Sequence, residues 1–208
     1  MSNDCSQKLS AIAEKIAACK RCPLHASRTN PVPGEGDCSN GIMLIGEAPG
    51  RNEDLEGRPF VGRAGMLLEE LLKSIGLERE DVFITNVVKC RPPRNRDPRP
   101  DEISTCLPFL VEQIRVIKPG LIITLGRISG STIFRLAGLR WTSMHSIHGK
   151  MFERVVAGVK TRIIPTFHPA SAFYRVETRR LLEKDFEGSI RRAVDLVLGR
   201  KRGLLDFF

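Results

Sequence analysis

Residues 42–50 read Ile-Met-Leu-Ile-Gly-Glu-Ala-Pro-Gly, an apolar run that stops at once on glycine and proline. Four consecutive apolar residues, Ile42 to Ile45, fit a strand buried on both faces, and Gly46 to Gly50 reads as the turn that closes it. Similar short runs recur downstream. Val82 to Thr85 is a second strand with Asn86 at its end, and Leu121 to Leu125 is a third. Met151 to Val156 and Arg162 to Pro165 form a hairpin-sized pair just ahead of Phe167-His168-Pro169. Between these runs the period becomes helical: residues 7–18 (Leu9, Ile12, Ala13, Ile16), 66–75 closed by Gly76, 101–117, 129–137 and 177–198. Pro108 inside the third of these predicts a kink, or a start nearer Cys106. Strands alternating with helices imply a parallel sheet covered on both faces, whose ligands bind beyond the carboxyl ends of the strands. Gly46-Glu47, Asn86 and His168 each fall just past such an end.

The chain has 208 residues, 41% hydrophobic and 27% charged, which suits one globular domain with a sizeable core. No apolar run approaches the roughly 20 residues of a membrane helix, and the start MSNDCSQK lacks a secretory apolar core, so a cytoplasmic monomer is expected. The net charge of +9 favours a polyanionic partner such as nucleic acid, although a merely soluble basic surface has the same charge. Residues 90–100, CRPPRNRDPRP, hold four arginines and four prolines in eleven positions. Neither a helix nor a central strand survives that many prolines, so this is a rigid basic surface loop.

Six cysteines without an export signal argue against a disulfide framework. Cys19 and Cys22 form a C-x2-C pair, and Cys90 and Cys106 lie far downstream with fifteen residues between them. A zinc ribbon would need a second C-x2-C, which is absent. Four thiolates in two pairs suit an iron–sulfur cluster, and spacing alone leaves that reading level with unrelated buried cysteines. Cys5 and Cys38 read as free thiols.

Together, GEAPGRNEDLEGRPFVGRAG (46–65), ITNVVKCRPPRNRDPRPDEISTC (84–106), LGR (125–127), PTFHPA (165–170) and the N-terminal C-x2-C resemble family-4, iron–sulfur uracil-DNA glycosylases. The similarity runs in the family's order from Cys19 to about Leu198. It implies a three-layer α/β/α fold with a central, mainly parallel four-stranded sheet. It also implies a glycosylase domain over residues 1–198 that carries a structural 4Fe–4S cluster on Cys19, Cys22, Cys90 and Cys106. Arg94, Arg96 and Arg99 then become contacts to DNA phosphates rather than a solvated surface.

A uracil glycosylase flips the base into a pocket and expels it as an anion. The resemblance gives Phe60 as the stacking surface, where an isolated reading would give a core phenylalanine. Asn86 becomes the reader of the uracil edge, where an isolated reading would give a turn-forming residue. His168 becomes the donor to uracil O2. Ala48 and Pro49 complete the pocket wall. Ala48 stands where related glycosylases carry a water-activating aspartate, so either Glu47 or Glu53 serves instead or the reaction is largely dissociative and needs little base help. Glu47 is read first as a pocket and transition-state residue, with Glu53 second.

Residues 199–208, GRKRGLLDFF, read as a tail whose Leu204, Phe207 and Phe208 resemble the anchor that binds a PCNA-type sliding clamp, which suggests an archaeal source. A hydrophobic end folded onto its own domain is the plainer alternative. Two other functions fit these residues less well. A non-catalytic iron–sulfur DNA-binding protein on the same fold would have lost Phe60, Asn86 or His168, and all are present. A dinucleotide-dependent dehydrogenase needs G-x-G-x-x-G after the first strand, and GEAPG is not that.

Overall fold

The apolar run from Ile42 to Ile45 forms an inner strand of the sheet. In the computed structural model, which describes residues 2–200, Ile42–Gly46 is a strand buried at every position. In chain order the elements are α1 (Ser2–Ala17), β1 (Glu35–Gly36), β2 (Ile42–Gly46), α2 (Arg51–Glu56), α3 (Arg63–Ser74) and β3 (Phe83–Asn86). There follow α4 (Pro100–Ile117), β4 (Leu121–Leu125), α5 (Arg127–Leu136), α6 (Met144–Ile147), β5 (Phe152–Val156), β6 (Val159–Thr166), α7 (Val176–Asp185) and α8 (Arg191–Leu198).

Alternation along each strand divides the core between two faces. Ile42 and Leu44 pack with Leu68 and Leu72 of α3 and with Leu182 and Val194 of α7 and α8. Met43 and Ile45 pack with Ile16 of α1, Leu110 and Ile114 of α4 and Ile133 of α5. The result is the expected three-layer α/β/α arrangement.

The sheet has six strands in the order β1-β3-β2-β4-β6-β5, not four. The parallel set β3, β2, β4 and β6 is its body, and β1 and β5 add an antiparallel strand at each edge. Two residues in the Pro- and Gly-rich stretch before β2 carry no period, so β1 leaves no trace in the sequence pattern.

Pro108 does not break α4, which runs unbroken from Pro100 to Ile117. Pro108 and Ser104 both lie on its exposed side, where the Ser104 carbonyl that loses its partner can be hydrated. Gly76 has φ +72° and closes α3 with bonds from Gly76 N to Lys73 O and from Leu77 N to Leu72 O, both 3.0 Å. The long C-terminal helix contains a π-helical turn, Phe186–Ile190, between α7 and α8. Cys5 and Cys38, expected to be free, pair as a disulfide across 33 positions that sequence spacing gave no reason to join. No helix among the described residues is long and apolar enough to cross a membrane. Leu204, Phe207 and Phe208 lie outside the described residues.

Candidate functional site

The parallel strands deliver their carboxyl ends to one rim, and a cavity of about 460 Å³ opens there. Glu47, Ala48, Pro49, Glu53, Phe60, Asn86 and His168 all line it, together with Asn95, Arg96 and Asp97 of the basic loop. The residues singled out as a base pocket therefore do converge.

Two glycines make that convergence sterically feasible. A Cβ on Gly46, at the end of β2, would lie 2.3 Å from Asn86 Oδ1 and 2.7 Å from the Phe60 ring. A Cβ on Gly126, where φ is +106°, would lie 2.5 Å from Glu47 Oε1 and 3.2 Å from His168 Cβ. Each position thus admits two site residues only because it carries no side chain.

Phe60 is buried with φ +51°, an unusual conformation for a bulky residue. Its main chain is clamped: Arg79 donates to the carbonyl of Phe60 at 2.9 Å and to that of Pro59. Arg79 is in turn held by Glu35 of β1 at 2.8 Å, and Glu35 also takes a fork from Arg58. Neither Arg79 nor Glu35 had been picked out from sequence, because the link spans 44 positions.

Asn86 is 2% exposed, yet its side-chain amide bonds to none of the described residues and opens into the cavity. An amide without a protein partner that faces an open cavity is free to hydrogen-bond what enters it. His168 Nδ1 accepts from the Ala170 N–H at 3.1 Å. Only the tautomer protonated at Nε2 allows this, so Nε2–H is the available donor. Burial pushes the His168 pKa down to about 4, against a small opposing pull from Glu53, so the ring is neutral near pH 7.

The two carboxylates differ in employment. Glu53 accepts from Gly50 N at 3.0 Å with one oxygen and from Val61 N and Gly62 N at 3.1 and 3.2 Å with the other. It ties α2 to the segment behind Phe60. Glu47 Oε1 accepts from Ile128 N at 2.8 Å, at the start of α5. Burial raises the Glu47 pKa, the Ile128 bond opposes that, and Asp97 adds to the rise.

Arg94, Arg96 and Arg99 share one surface depression with Pro23, Pro93 and Glu102. Arg94 and Arg99 are exposed, but Arg96 is not free: its guanidinium forks onto Glu102 at 2.6 and 2.8 Å. Glu102, itself 1% exposed, also caps α4 by accepting from Arg99 N at 2.7 Å. Arg96 thus braces the loop it was expected to extend toward DNA. His148 donates from Nδ1 to Asp185 at 3.0 Å, and Asp185 accepts from Thr166 Oγ1 at 2.6 Å, so His148 braces the end of β6. Tyr174, also missed from sequence, stands 88% exposed on the cavity wall.

Cys19, Cys22, Cys90 and Cys106 line a second, mostly apolar cavity with Ile16, Arg28, Lys89 and Phe109. The end of α1 delivers Cys19, and Cys106 lies on α4. Arg28 donates to Cys90 Sγ at 3.0 Å, and Lys89 N donates to Cys106 Sγ at 3.3 Å. Burial pushes Cys106 up to about 11, with the Lys89 charge pulling the other way. Among the described residues, no three His, Cys, Asp or Glu side chains sit close enough together for a single ion.

A doubly covered, mainly parallel sheet carries a polar-lined cavity at its carboxyl rim, and the family comparison assigns that architecture to a class. The model of the uracil DNA glycosylase superfamily matches residues 33–187, and the chain belongs to that family. The chain is 49% identical over 201 residues to a type-4 uracil-DNA glycosylase of Saccharolobus solfataricus, covering 96% of this chain and 91% of the relative. It is 48% identical over 181 residues to that of Archaeoglobus fulgidus, covering 87% and 91%. The type-4 enzyme of the bacterium Thermotoga maritima is 46% identical over 178 residues, covering 85% and 90%, so such relatives are not confined to archaea.

Proposed function

We propose that this chain excises uracil from DNA by hydrolysis, as a cytoplasmic monomer with a structural 4Fe–4S cluster. The observation that carries the pocket assignment is the pairing of an unengaged Asn86 amide with a neutral His168 whose Nε2–H is free, in one cavity beside Phe60. A flipped uracil stacks on Phe60, offers O4 to the Asn86 NH2 and donates N3–H to the Asn86 carbonyl oxygen. The N1–C1′ bond breaks, water oxygen bonds to C1′, and the base leaves as an anion. His168 Nε2–H stabilises the charge that grows on O2. Glu47 sits on the rim as the carboxylate that orients water and accepts its proton, while Glu53 is occupied by three backbone N–H groups. Arg94 and Arg99 take phosphates.

Cys19, Cys22, Cys90 and Cys106 would hold the cluster. The four cysteines line one cavity, and four thiolates are the ligand set such a cluster takes. The cluster would order the segments that carry Cys90 and Cys106, and with them the basic loop.

The test is excision of uracil from a labelled oligonucleotide against a cytosine control, with iron and sulfide assayed in the same sample. Uracil-specific cleavage and near-equal iron and sulfide are expected. Inactive protein would overturn the function, and stoichiometric zinc without sulfide would overturn the cluster. Residues 201–208 we assign to a sliding clamp. Their deletion should abolish clamp binding and leave excision on short oligonucleotides intact, whereas loss of both would return the tail to the domain.

A further inference from the structure

Asp185 is 5% exposed and does not line the base cavity, yet three segments converge on its carboxylate. His148 Nδ1 donates to both of its oxygens at 3.0 Å, and the Thr166 hydroxyl donates to Oδ2 at 2.6 Å. Gly149 leaves room for it: a Cβ there would lie 2.3 Å from Asp185 Oδ1. Leu182 and Phe186, its neighbours on the helix, belong to the apolar core. A carboxylate in that company is costly to bury, so helix packing alone does not account for it. The π-helical turn Phe186–Ile190 begins directly after it, and such turns are frequent at functional sites.

What the carboxylate holds is the end of β6. Thr166 is the last residue of that strand and is fully buried. Its carbonyl accepts from Gly126 N at 2.9 Å, and a Cβ on Gly126 would lie 3.2 Å from His168 Cβ. Phe167, next in the chain, packs its ring against His148, the other donor to Asp185, with 4.9 Å between centroids. His168 follows, and its Nδ1 takes the Ala170 N–H. The imidazole is thus fixed from one side by its own turn and from the other by a strand end moored to Asp185. We infer that Asp185 is a positioning residue: through the Thr166 hydroxyl it sets the end of β6, and so the aim of the His168 Nε2–H at the base. This rests on the pocket proposed above.

Thr166→Val keeps the branched shape of the side chain and removes the hydroxyl, whereas Thr166→Ser keeps the hydroxyl. A misplacement of about 1 Å can cost about a hundredfold in rate, and a smaller shift here should lower single-turnover uracil excision by Thr166→Val about tenfold. DNA affinity and the preference for uracil over cytosine should not change, because Arg94, Arg99 and Asn86 lie on other segments. Thr166→Ser should recover most of the rate. The His168 ring resonances should move in Thr166→Val and hold in Thr166→Ser. In a His168→Ala background Thr166→Val should slow excision no further, because the group that it aims is gone. A merely structural hydroxyl would lower the melting temperature and cost either no activity or the same fraction with and without His168, and either result overturns the inference. Equal losses in the valine and serine variants also overturn it. If Thr166→Val does not fold, Asp185→Asn removes one of the two acceptor oxygens and carries the same readouts. Failure of both to fold would make the contact structural and overturn the inference too. Absence of uracil excision in the unaltered protein would instead strike the function proposed above.

Discussion

The Phe60 ring lies nearly parallel to the His168 imidazole, with 24° between their planes and 5.6 Å between their centroids. The proposed stacking surface and the proposed hydrogen-bond donor to O2 are thus packed as one unit. Neither ring holds this place by itself: the Arg79 clamp fixes the Phe60 main chain, and the Ala170 N–H fixes the imidazole.

Gly46 tests how closely that unit is built. An alanine there would press on both Asn86 and Phe60. Gly46→Ala should lower single-turnover uracil excision at least tenfold. Overpacking costs typically 1–3 kcal/mol, so the protein should remain folded by circular dichroism. Activity close to that of the unaltered protein would mean the site tolerates a looser fit than described.

His168 gives a prediction about pH. Its folded pKa of about 4 lies below the 6.5 of a free imidazole. Between those values the unfolded chain binds a proton that the native ring refuses, so its contribution to stability is present above about pH 6.5 and declines as pH falls toward 4. Its ring carbon resonances should titrate near pH 4, and excision should show no His168 inflection near 6.5. A native titration at 6.5 would contradict the neutral-donor assignment. His168→Ala should slow uracil excision without changing base preference.

The basic loop separates two kinds of arginine. Replacing Arg94 or Arg99 by alanine should reduce the slope of log affinity against log salt by about one each. Arg96→Ala should leave the slope nearly unchanged and lower the melting temperature, because Glu102 loses its forked partner. Equal slopes for all three would show that Arg96 leaves Glu102 when DNA binds.

Much of this was legible in the chain. The apolar runs at 42–45 and 121–125 located the parallel core because strands buried on both faces need uninterrupted apolar residues. The resemblance then pointed to Phe60, Asn86 and His168, which do meet at one rim. What stayed hidden depends on distance in the chain. The Glu35–Arg79 ion pair, the Lys89–Gln113 bond and the Cys5–Cys38 pairing join positions 44, 24 and 33 residues apart, and no local period encodes them. Arg96 illustrates a second limit: charge in a loop is visible in sequence, but its engagement by Glu102 is not.

Base reading by Asn86 is the central claim, and one substitution tests it directly. Cytosine carries an amino donor in place of O4 and an unprotonated N3, so both contacts to Asn86 are mismatched. Each unpaired buried polar group costs roughly 1–3 kcal/mol, enough for strong rejection. Asn86→Asp places a carboxylate against O4 and repels it. Single-turnover excision of uracil and of cytosine should be measured for this variant beside the unaltered protein. Uracil excision should fall sharply and cytosine excision should rise relative to it, with a proton at cytosine N3 or on the aspartate supplying the bond. Full uracil activity with unchanged preference would show that Asn86 only ends a strand, and the pocket described here would not be the reader.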